Sequence, residues 1–336
     1  MNIDEKWMRE ALELAKKGLG WTQPNPCVGA VIVRGAEKLG EGWHRRAGMP
    51  HAEIEAIHDA LKKRHSLKNA TLYITLEPCS TWGRTPPCVK AIIQHGFSRV
   101  VVGADDPNPI HSKRAYKILK KAGIQITRSV LKKECEELIC AFRRWITTEK
   151  PWVITKAAMT LDGYLSMPKK KWLTGKKSDK QVHQLRSICG AILVGAETVR
   201  KDNPRLTVRG VKCLRQPWRV VVTRSGKLPL HARLLTDAYQ DRTLVFKNKS
   251  WNFILKSLGK LGVKRLLVEG GGKTFESLVK AKLIDEVWIY YTPFVAGKNN
   301  LPRADALKRL RLKDVRVSKT GKDICVHGYV SSNICQ

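Results

Sequence analysis

No run in this 336-residue chain approaches the roughly 20 consecutive apolar residues that a membrane-spanning helix needs. Its 43% apolar content is therefore free to build globular cores. Acidic residues are scarce, 29 Asp and Glu against 63 Lys and Arg, for a formal net charge of +34. Regular cysteine spacing is also missing. The nine cysteines are odd in number and scattered, which excludes a secreted disulfide framework and leaves reduced thiols. Met1 to Gly18 lacks the basic start and apolar block of a signal peptide, so a cytoplasmic protein is expected. There is no internal repeat and no long low-complexity segment. What the chain does have is length for about two domains, and ten tryptophans that argue against disorder.

The basic excess admits two readings. Phosphate neutralisation on a nucleic acid is one. Lysines and arginines spread over solvated faces are the other, and their dispersal, from Lys62–Arg64 to Lys169–Lys171 and Lys308–Lys313, favours it. A small anionic substrate would profit from the same field.

Elements alternate along the chain. Trp7, Met8, Ala11, Leu12 and Ala15 recur at helical spacing, and Val28–Val33 reads as a strand. Pro50-His51-Ala52-Glu53 is expected to open a helix with proline in its first turn. Thr71–Leu76 alternates as a strand, Pro87–Ile93 begins a helix, and Arg99–Val102 is a buried strand. Glu149-Lys150-Pro151 marks the domain boundary, after which strands (Trp152–Thr155, Ala191–Val194, Trp218–Val222, Arg265–Val268, Glu286–Tyr291, Asp323–Tyr329) alternate with helices at Ser178–Ile188 and Lys273–Lys280.

The chemistry is concentrated in three places within about forty residues: His51-Ala52-Glu53, Pro78-Cys79 and Pro87-Cys88. Catalytic zinc takes three nitrogen or sulfur ligands and keeps a fourth position for water. His51, Cys79 and Cys88 satisfy this. Glu53 faces away from His51 along the helix, a poor co-ligand but a suitable proton shuttle. The H-x-E and P-C arrangement is the signature of zinc deaminases. A closed structural zinc site would want a fourth ligand, and none sits nearby at a regular spacing.

Deaminases of nucleosides, DNA and tRNA usually separate their cysteines by two residues, whereas here eight intervene, Ser80 to Pro87. With its Gly83-Arg84-Thr85-Pro86-Pro87 core, this stretch resembles the deaminase half of the bifunctional riboflavin-biosynthesis family RibD. Asn25-Pro26-Cys27-Val28-Gly29, Gly40-Glu41-Gly42-Trp43-His44 and Asp106-Pro107-Asn108-Pro109 match the family in order and spacing. Asn25 is then a candidate for the ring edge or a ribose hydroxyl, His44 for the phosphoribosyl group, and Arg84 for a phosphate or carbonyl. Each also has a plain reading as a turn, strand-end or loop residue. Thr81 and Trp82 occupy positions where the family commonly has histidine. Ile110-His111-Ser112-Lys113-Arg114 is more basic than the family's glycine-containing stretch, and one of its cations is a candidate phosphate contact.

Unaided, the second half yields one phosphate-loop candidate, Glu269-Gly270-Gly271-Gly272-Lys273, between a strand and a helix. The resemblance adds more. Thr160-Leu161-Asp162-Gly163, Ala196-Glu197-Thr198-Val199, Asp202–Arg209 and Val268–Gly271 are similar to the family's NADPH-dependent reductase half. It implies substrate contacts at Arg186, Leu206, Arg209 and Glu269, the two arginines as phosphate clamps. It implies cofactor contacts at Trp172, Thr198, Asp202, Gly271, Gly272, Lys273 and Thr274. Lys169–Lys171 and Arg224 depart from the family pattern and bear on whether the reductase is fully active.

The expected architecture is α/β: a cytidine-deaminase-like α/β/α domain over 1–147, then a dihydrofolate-reductase-like α/β domain over 148–336. The expected cofactors are Zn2+ and NADPH, and the substrate is 2,5-diamino-6-ribosylamino-4(3H)-pyrimidinone 5′-phosphate. No membrane or nucleic-acid partner is expected, and homo-oligomerisation is left open. The alternatives are a deaminase with an impaired reductase half, and a nucleic-acid-binding protein or polynucleotide deaminase.

Overall fold

A computed structural model describes residues 2–82, 86–167, 173–297 and 301–331. It divides into two compact units, Met1–Thr148 and Glu149–Gln336. Among the described residues no helix is long and apolar enough to cross a membrane.

The first unit runs α1 (Ile3–Lys16), β1 (Gly29–Arg34), β2 (Glu37–Trp43), α2 (Ala52–Lys62), β3 (Thr71–Leu76), α3 (Cys88–Gln94), β4 (Arg99–Ala104), α4 (Arg114–Lys121), β5 (Gln125–Arg128), α5 (Lys132–Leu138) and α6 (Cys140–Thr148). Its sheet has the order β2-β1-β3-β4-β5. β1 is antiparallel to both neighbours, and β3, β4 and β5 are mutually parallel. The apolar stripe of α1 buries with Cys135 and Ile139 on one face. Ala56, Ile57, Val89, Ile92 and Leu119 of α2, α3 and α4 bury on the other. This is the three-layer α/β/α arrangement anticipated from the sequence. Gly42 brings α2 hard against β2, since a Cβ there would sit 2.4 Å from the Ala56 nitrogen. That contact fixes the helix whose start carries the candidate catalytic residues.

The second unit runs β6 (Trp152–Thr160), α7 (Lys176–Ser187), β7 (Ala191–Gly195), α8 (Ala196–Asp202), β8 (Trp218–Thr223), α9 (Arg233–Thr236), β9 (Thr243–Lys247), α10 (Trp251–Lys260), β10 (Arg265–Val268), α11 (Gly272–Lys280), β11 (Glu286–Thr292), β12 (Leu312–Thr320) and β13 (Asp323–Val330). Eight strands form one sheet, β12-β13-β11-β6-β10-β7-β8-β9. Six are parallel, and β13 joins β11 antiparallel and pairs antiparallel with β12 at the edge. Leu255 and Leu258 of α10 and Phe275 and Leu278 of α11 fill the larger core with Val153, Leu193, Val220 and Leu266. Val182 of α7 packs on Tyr290 and Cys325 across the opposite face. Asp323 fastens the start of α7 by accepting the Gly175 N–H (2.8 Å) and the Ser178 hydroxyl (2.6 Å).

The structure corrects the expected start of α2. Helical geometry begins at Ala52, and His51 is the residue before it, extended at φ −73° and ψ 166°. Pro50 therefore lies outside the first turn. β9, β12 and α10 were not anticipated either. β12 shows almost no inward face, with Val315 and Val317 51% and 66% exposed, so no alternation of polarity marks it.

Candidate active sites

The first site forms where α2, the loop after β3 and the start of α3 converge. Because His51 is extended rather than helical, its ring turns across the helix start toward the two sulfurs. Its Nδ1 lies 3.5 Å from Cys79 Sγ and 3.4 Å from Cys88 Sγ, and all three ligand atoms fall within 4.8 Å of one another. The Cys88 backbone N–H donates to Cys79 Sγ at 3.2 Å. One imidazole nitrogen and two converging thiols are a donor set that fits Zn2+ with a position left for solvent.

The electrostatics match that donor set. The Cys88 thiol hydrogen bond and His51, against the opposing effect of burial, hold the Cys79 thiol well below the ordinary range. Cys88 is pushed up, because its thiol donates a hydrogen bond to the Cys79 sulfur and is buried. Glu53, in the first turn of α2, is only 3% exposed. Burial first, then the charge on Cys79, pushes its carboxyl up to about 7. A buried acid that exchanges its proton near neutrality is suited to carrying one.

Asn25 and His44 also reach this site. His44 is 2% exposed. Its Nδ1 lies 3.0 Å from the Pro50 carbonyl, which can only accept, so Nδ1 carries the proton. Nε2 then accepts from the Asn25 amide at 3.0 Å. The ring stands edge-on to His51, with centroids 5.3 Å apart. His44 thus sits behind Asn25 and the residues leading into His51. Arg84 lies outside the described residues.

Glu77 was not singled out from the sequence. Its buried carboxylate accepts backbone N–H groups from Asp106 (3.2 Å), Lys113 (2.9 Å) and Ala115 (3.2 Å). The loop between β4 and α4 is thereby stapled beside the Cys79 loop. Asp106 and Asn108 belong to that loop.

The second site lies among β6, α7, the 202–209 loop and the end of β10. Arg186 and Glu269 form a two-point ion pair, Nε to Oε1 at 2.7 Å and one terminal nitrogen to Oε2 at 2.6 Å. The other terminal nitrogen donates to the Thr207 carbonyl at 3.0 Å. Both side chains are nearly buried, 12% and 11% exposed. Burial opposes the charge on Glu269, but Arg186 outweighs it and holds the carboxyl down at about 2. Arg186 is therefore no solvated arginine; most of its donors serve Glu269 and Thr207. Arg209 is exposed, donates its backbone N–H to His183 Nδ1 (3.1 Å) and places its guanidinium on the Thr207 hydroxyl (3.2 Å). Leu206 is buried yet left-handed, at φ +50°, a cost of roughly 1–2 kcal/mol for a branched residue. Such strain is typical of a turn held for function.

Lys156, on β6, also escaped the sequence reading. Burial lowers its ammonium pKa, and Glu269 is the neighbouring charge that opposes the shift. The one signal was a lysine in an otherwise apolar strand, Trp152-Val153-Ile154-Thr155-Lys156-Ala157-Ala158.

The cofactor candidates gather at the adjacent strand ends of β7 and β10. Gly195 and Gly271 precede α8 and α11, and neither helix has a side-chain cap. Among the described residues a Cβ on Gly271 would meet nothing nearer than Thr198 Oγ1, at 3.9 Å, whereas one on Gly272 would lie 2.5 Å from the Arg303 carbonyl oxygen, so the start of α11 is open on its Gly271 side. A Cβ on Gly195 would lie 2.8 Å from Thr274 Oγ1. Gly271, Gly272 and Lys273 thus open α11 with no side-chain cap, the Thr198 hydroxyl lies beside Gly271, and the Thr274 N–H turns back to the Gly271 carbonyl (3.0 Å), a helix start that fits a dinucleotide phosphate. Asp202 ends α8, and Arg224 is exposed just beyond β8. Trp172 and Lys169–Lys171 lie outside the described residues.

Comparison with known proteins aligns with this division. Residues 1–104 match the cytidine and deoxycytidylate deaminase zinc-binding region, and residues 151–326 match the RibD C-terminal domain. The sequence is 38% identical to riboflavin biosynthesis protein RibD of Aquifex aeolicus, covering 96% of this chain and 98% of that protein. Against the Synechocystis RibD the identity is 45%, with 99% and 98% covered. Among solved structures, Acinetobacter baumannii RibD superposes with a TM-score of 0.86 at 33% identity, covering 98% of this chain and 99% of that one. The diaminohydroxyphosphoribosylaminopyrimidine deaminase/5-amino-6-(5-phosphoribosylamino)uracil reductase of Thermotoga maritima gives 0.86 at 35% identity, with 97% and 98% covered.

Proposed function

The chain belongs to the RibD family of bifunctional riboflavin-biosynthesis deaminase/reductases, and on that premise we propose which of its residues carry each reaction and on what substrate. The substrate is 2,5-diamino-6-ribosylamino-4(3H)-pyrimidinone 5′-phosphate. The first unit replaces its 2-amino group by oxygen and releases ammonia. The second reduces the ribosyl group of the product to ribityl.

One observation carries the deaminase assignment: His51 Nδ1, Cys79 Sγ and Cys88 Sγ converge beside a buried Glu53. Zinc held by these three supplies the Lewis acidity that makes water nucleophilic near neutral pH. Glu53 takes a proton from the attacking water and delivers it to the departing nitrogen. Asn25 orients the substrate, and His44 acts through Asn25 rather than by touching the phosphoribosyl group, because both its nitrogens are engaged.

In the second unit, NADPH supplies the hydride that goes to the sugar C1 carbon. Gly271, Gly272, Lys273, Thr274 and Thr198 hold its phosphates, and Trp172 and Asp202 complete that binding set. Glu269, fixed by Arg186, and Lys156 face the reacting sugar, and Lys156 delivers the proton that accompanies the hydride. Arg209 and the strained Leu206 turn hold the substrate, with Arg84 the corresponding contact in the first unit. The deaminase domain is the first unit, ending with α6, and the reductase domain is the second. The protein works in the cytoplasm on a small phosphorylated pyrimidine.

A coupled assay on zinc-loaded protein tests this, following ammonia and NADPH together from the diamino substrate. Ammonia release followed by NADPH oxidation is expected. Glu53→Ala should lower ammonia release by roughly 10²–10⁴-fold, and NADPH oxidation should return when the deaminated product is supplied. Ammonia without NADPH oxidation would refute the reductase assignment, and no ammonia from zinc-loaded protein would refute the substrate.

A further inference from the structure

Two loops frame the rim of the first site, and a hydrogen bond joins them. One carries the chain outward from Cys79 through half-buried Ser80 and Thr81 to Trp82, which is 67% exposed. The other leaves β4 at Asp105 and enters α4 at Arg114. Its course is set by local bonds. Asp106 Oδ1 accepts the Asn108 N–H (2.8 Å), and Asn108 Oδ1 accepts that of Ile110 (3.1 Å). The Asn108 carbonyl accepts the N–H groups of His111 (2.9 Å) and Ser112 (3.0 Å). The Glu77 staple holds both ends. On this frame the half-buried His111 places Nδ1 2.9 Å from the Thr81 hydroxyl, which sets the rotation of the ring. Nε2 has no hydrogen-bond partner among the described residues.

We propose that His111 is a specificity residue of the deaminase site, its Nε2 hydrogen-bonding the phosphate-bearing arm of the substrate, with Thr81 the positioning residue that aims it. The inference rests on the phosphorylated substrate proposed above. With the reacting ring beside His51, Cys79 and Cys88, the phosphoribosyl arm runs outward across the rim. That rim is cationic. Lys113 and Arg114 follow His111, and Lys90 lies over the Trp82 ring at 5.0 Å. The carboxylates of the loop are already engaged, Asp105 by Tyr116 and Arg128 (each 2.6 Å) and Asp106 by the Asn108 N–H. A dianionic group therefore meets donors and net positive charge there. Burial pushes the Asp106 carboxyl up, the Asn108 N–H and His111 pull it down, and Cys79 pushes it up again. Thr81 stands two residues beyond Cys79, so its hydrogen bond ties His111 to the loop that carries a metal-site sulfur.

The test compares ammonia release from the 5′-phosphorylated substrate and from its dephosphorylated counterpart, using the zinc-loaded full chain. His111→Ala should raise KM for the phosphorylated substrate about tenfold, the loss of one charge-assisted hydrogen bond. It should leave kcat and the dephosphorylated KM within about twofold of wild type. His111→Gln, which keeps a donor near the Nε2 position, should recover part of the loss. Thr81→Val should shift the same KM in the same direction and Thr81→Ser should reverse it, a split that mere loosening of the loop would not produce. An unchanged KM in His111→Ala, or equal losses on both substrates, overturns the proposal while the function stands. Wild-type protein that releases no ammonia from the phosphorylated substrate overturns the underlying function instead, and this inference with it.

Discussion

The two sites hold ionisable groups away from water by opposite means. In the first unit, His51, two cysteines and Glu53 crowd together with, among the described residues, no Lys or Arg side chain hydrogen-bonded to them, and the two cysteines are hydrogen-bonded to one another. In the second, Arg186 and Glu269 neutralise one another through two short hydrogen bonds, and Lys156 and Arg209 stand in excess beside them. One cluster is short of positive charge and the other has positive charge to spare. The cluster of the first site therefore fits a dication, with the substrate phosphate left to the cationic rim, whereas the second has cations of its own to offer the phosphorylated substrate proposed above.

Removing a donor from the first site should have the largest effect. Cys88→Ala is expected to take bound zinc from one equivalent to none and ammonia release to background. Reduction of the deaminated product should continue, as metal analysis beside the two half-assays would show. If reduction fails as well, the separation between the units is wrong.

Next in size is the ion pair. Arg186→Ala leaves the Glu269 carboxylate buried and unpaired, which costs about 3–5 kcal/mol in comparable cases. Urea unfolding monitored in the second unit should register it. Replacing both partners by apolar residues should cost much less stability, though not less activity. pH sharpens the point. Glu269 is held at about 2, below its ordinary 4.5, so its contribution is complete above pH 4.5 and is lost as the pH falls through about 2. The stability gap between wild type and Glu269→Gln should narrow across that window, and a constant gap would show that the pair is not the cause.

The smallest expected effect is Gly271→Ala. The residue's φ of −81° suits alanine, and the nearest atom to the added methyl is 3.9 Å away. The melting temperature should hold within about 2 °C, under 1 kcal/mol for a unit of this size. KM for NADPH should rise on the order of tenfold, about 1.4 kcal/mol. An unaltered KM would remove the phosphate cradle from this turn.

The same contrast explains what could be read from the sequence. His51, Glu53, Cys79 and Cys88 are residue types with one dominant chemistry, set in short loops, and the structure brings them together. The α/β/α layering was legible because the apolar stripes of α1 and α2 and the β3–β4 pair are regular. Glu77 was not, since its partners are backbone N–H groups 29 to 38 residues away that leave no mark on side-chain pattern. Lys156 looked like one more lysine in a chain with 63 basic residues, and only the sheet register sets it near Glu269. Arg186 was legible as a site residue but not as an internal partner, because 83 residues separate it from Glu269. β12 was hidden by its exposure on both faces.

The Glu77 staple has a consequence for how this enzyme diversifies. It grips the 106–115 segment through main-chain N–H groups alone, which every residue but proline supplies. Side chains at 110–112 are therefore released from the task of shaping the loop. Mutation can exchange them one at a time while the frame beside the metal site stays put, so substrate preference can drift in small steps without a structural toll.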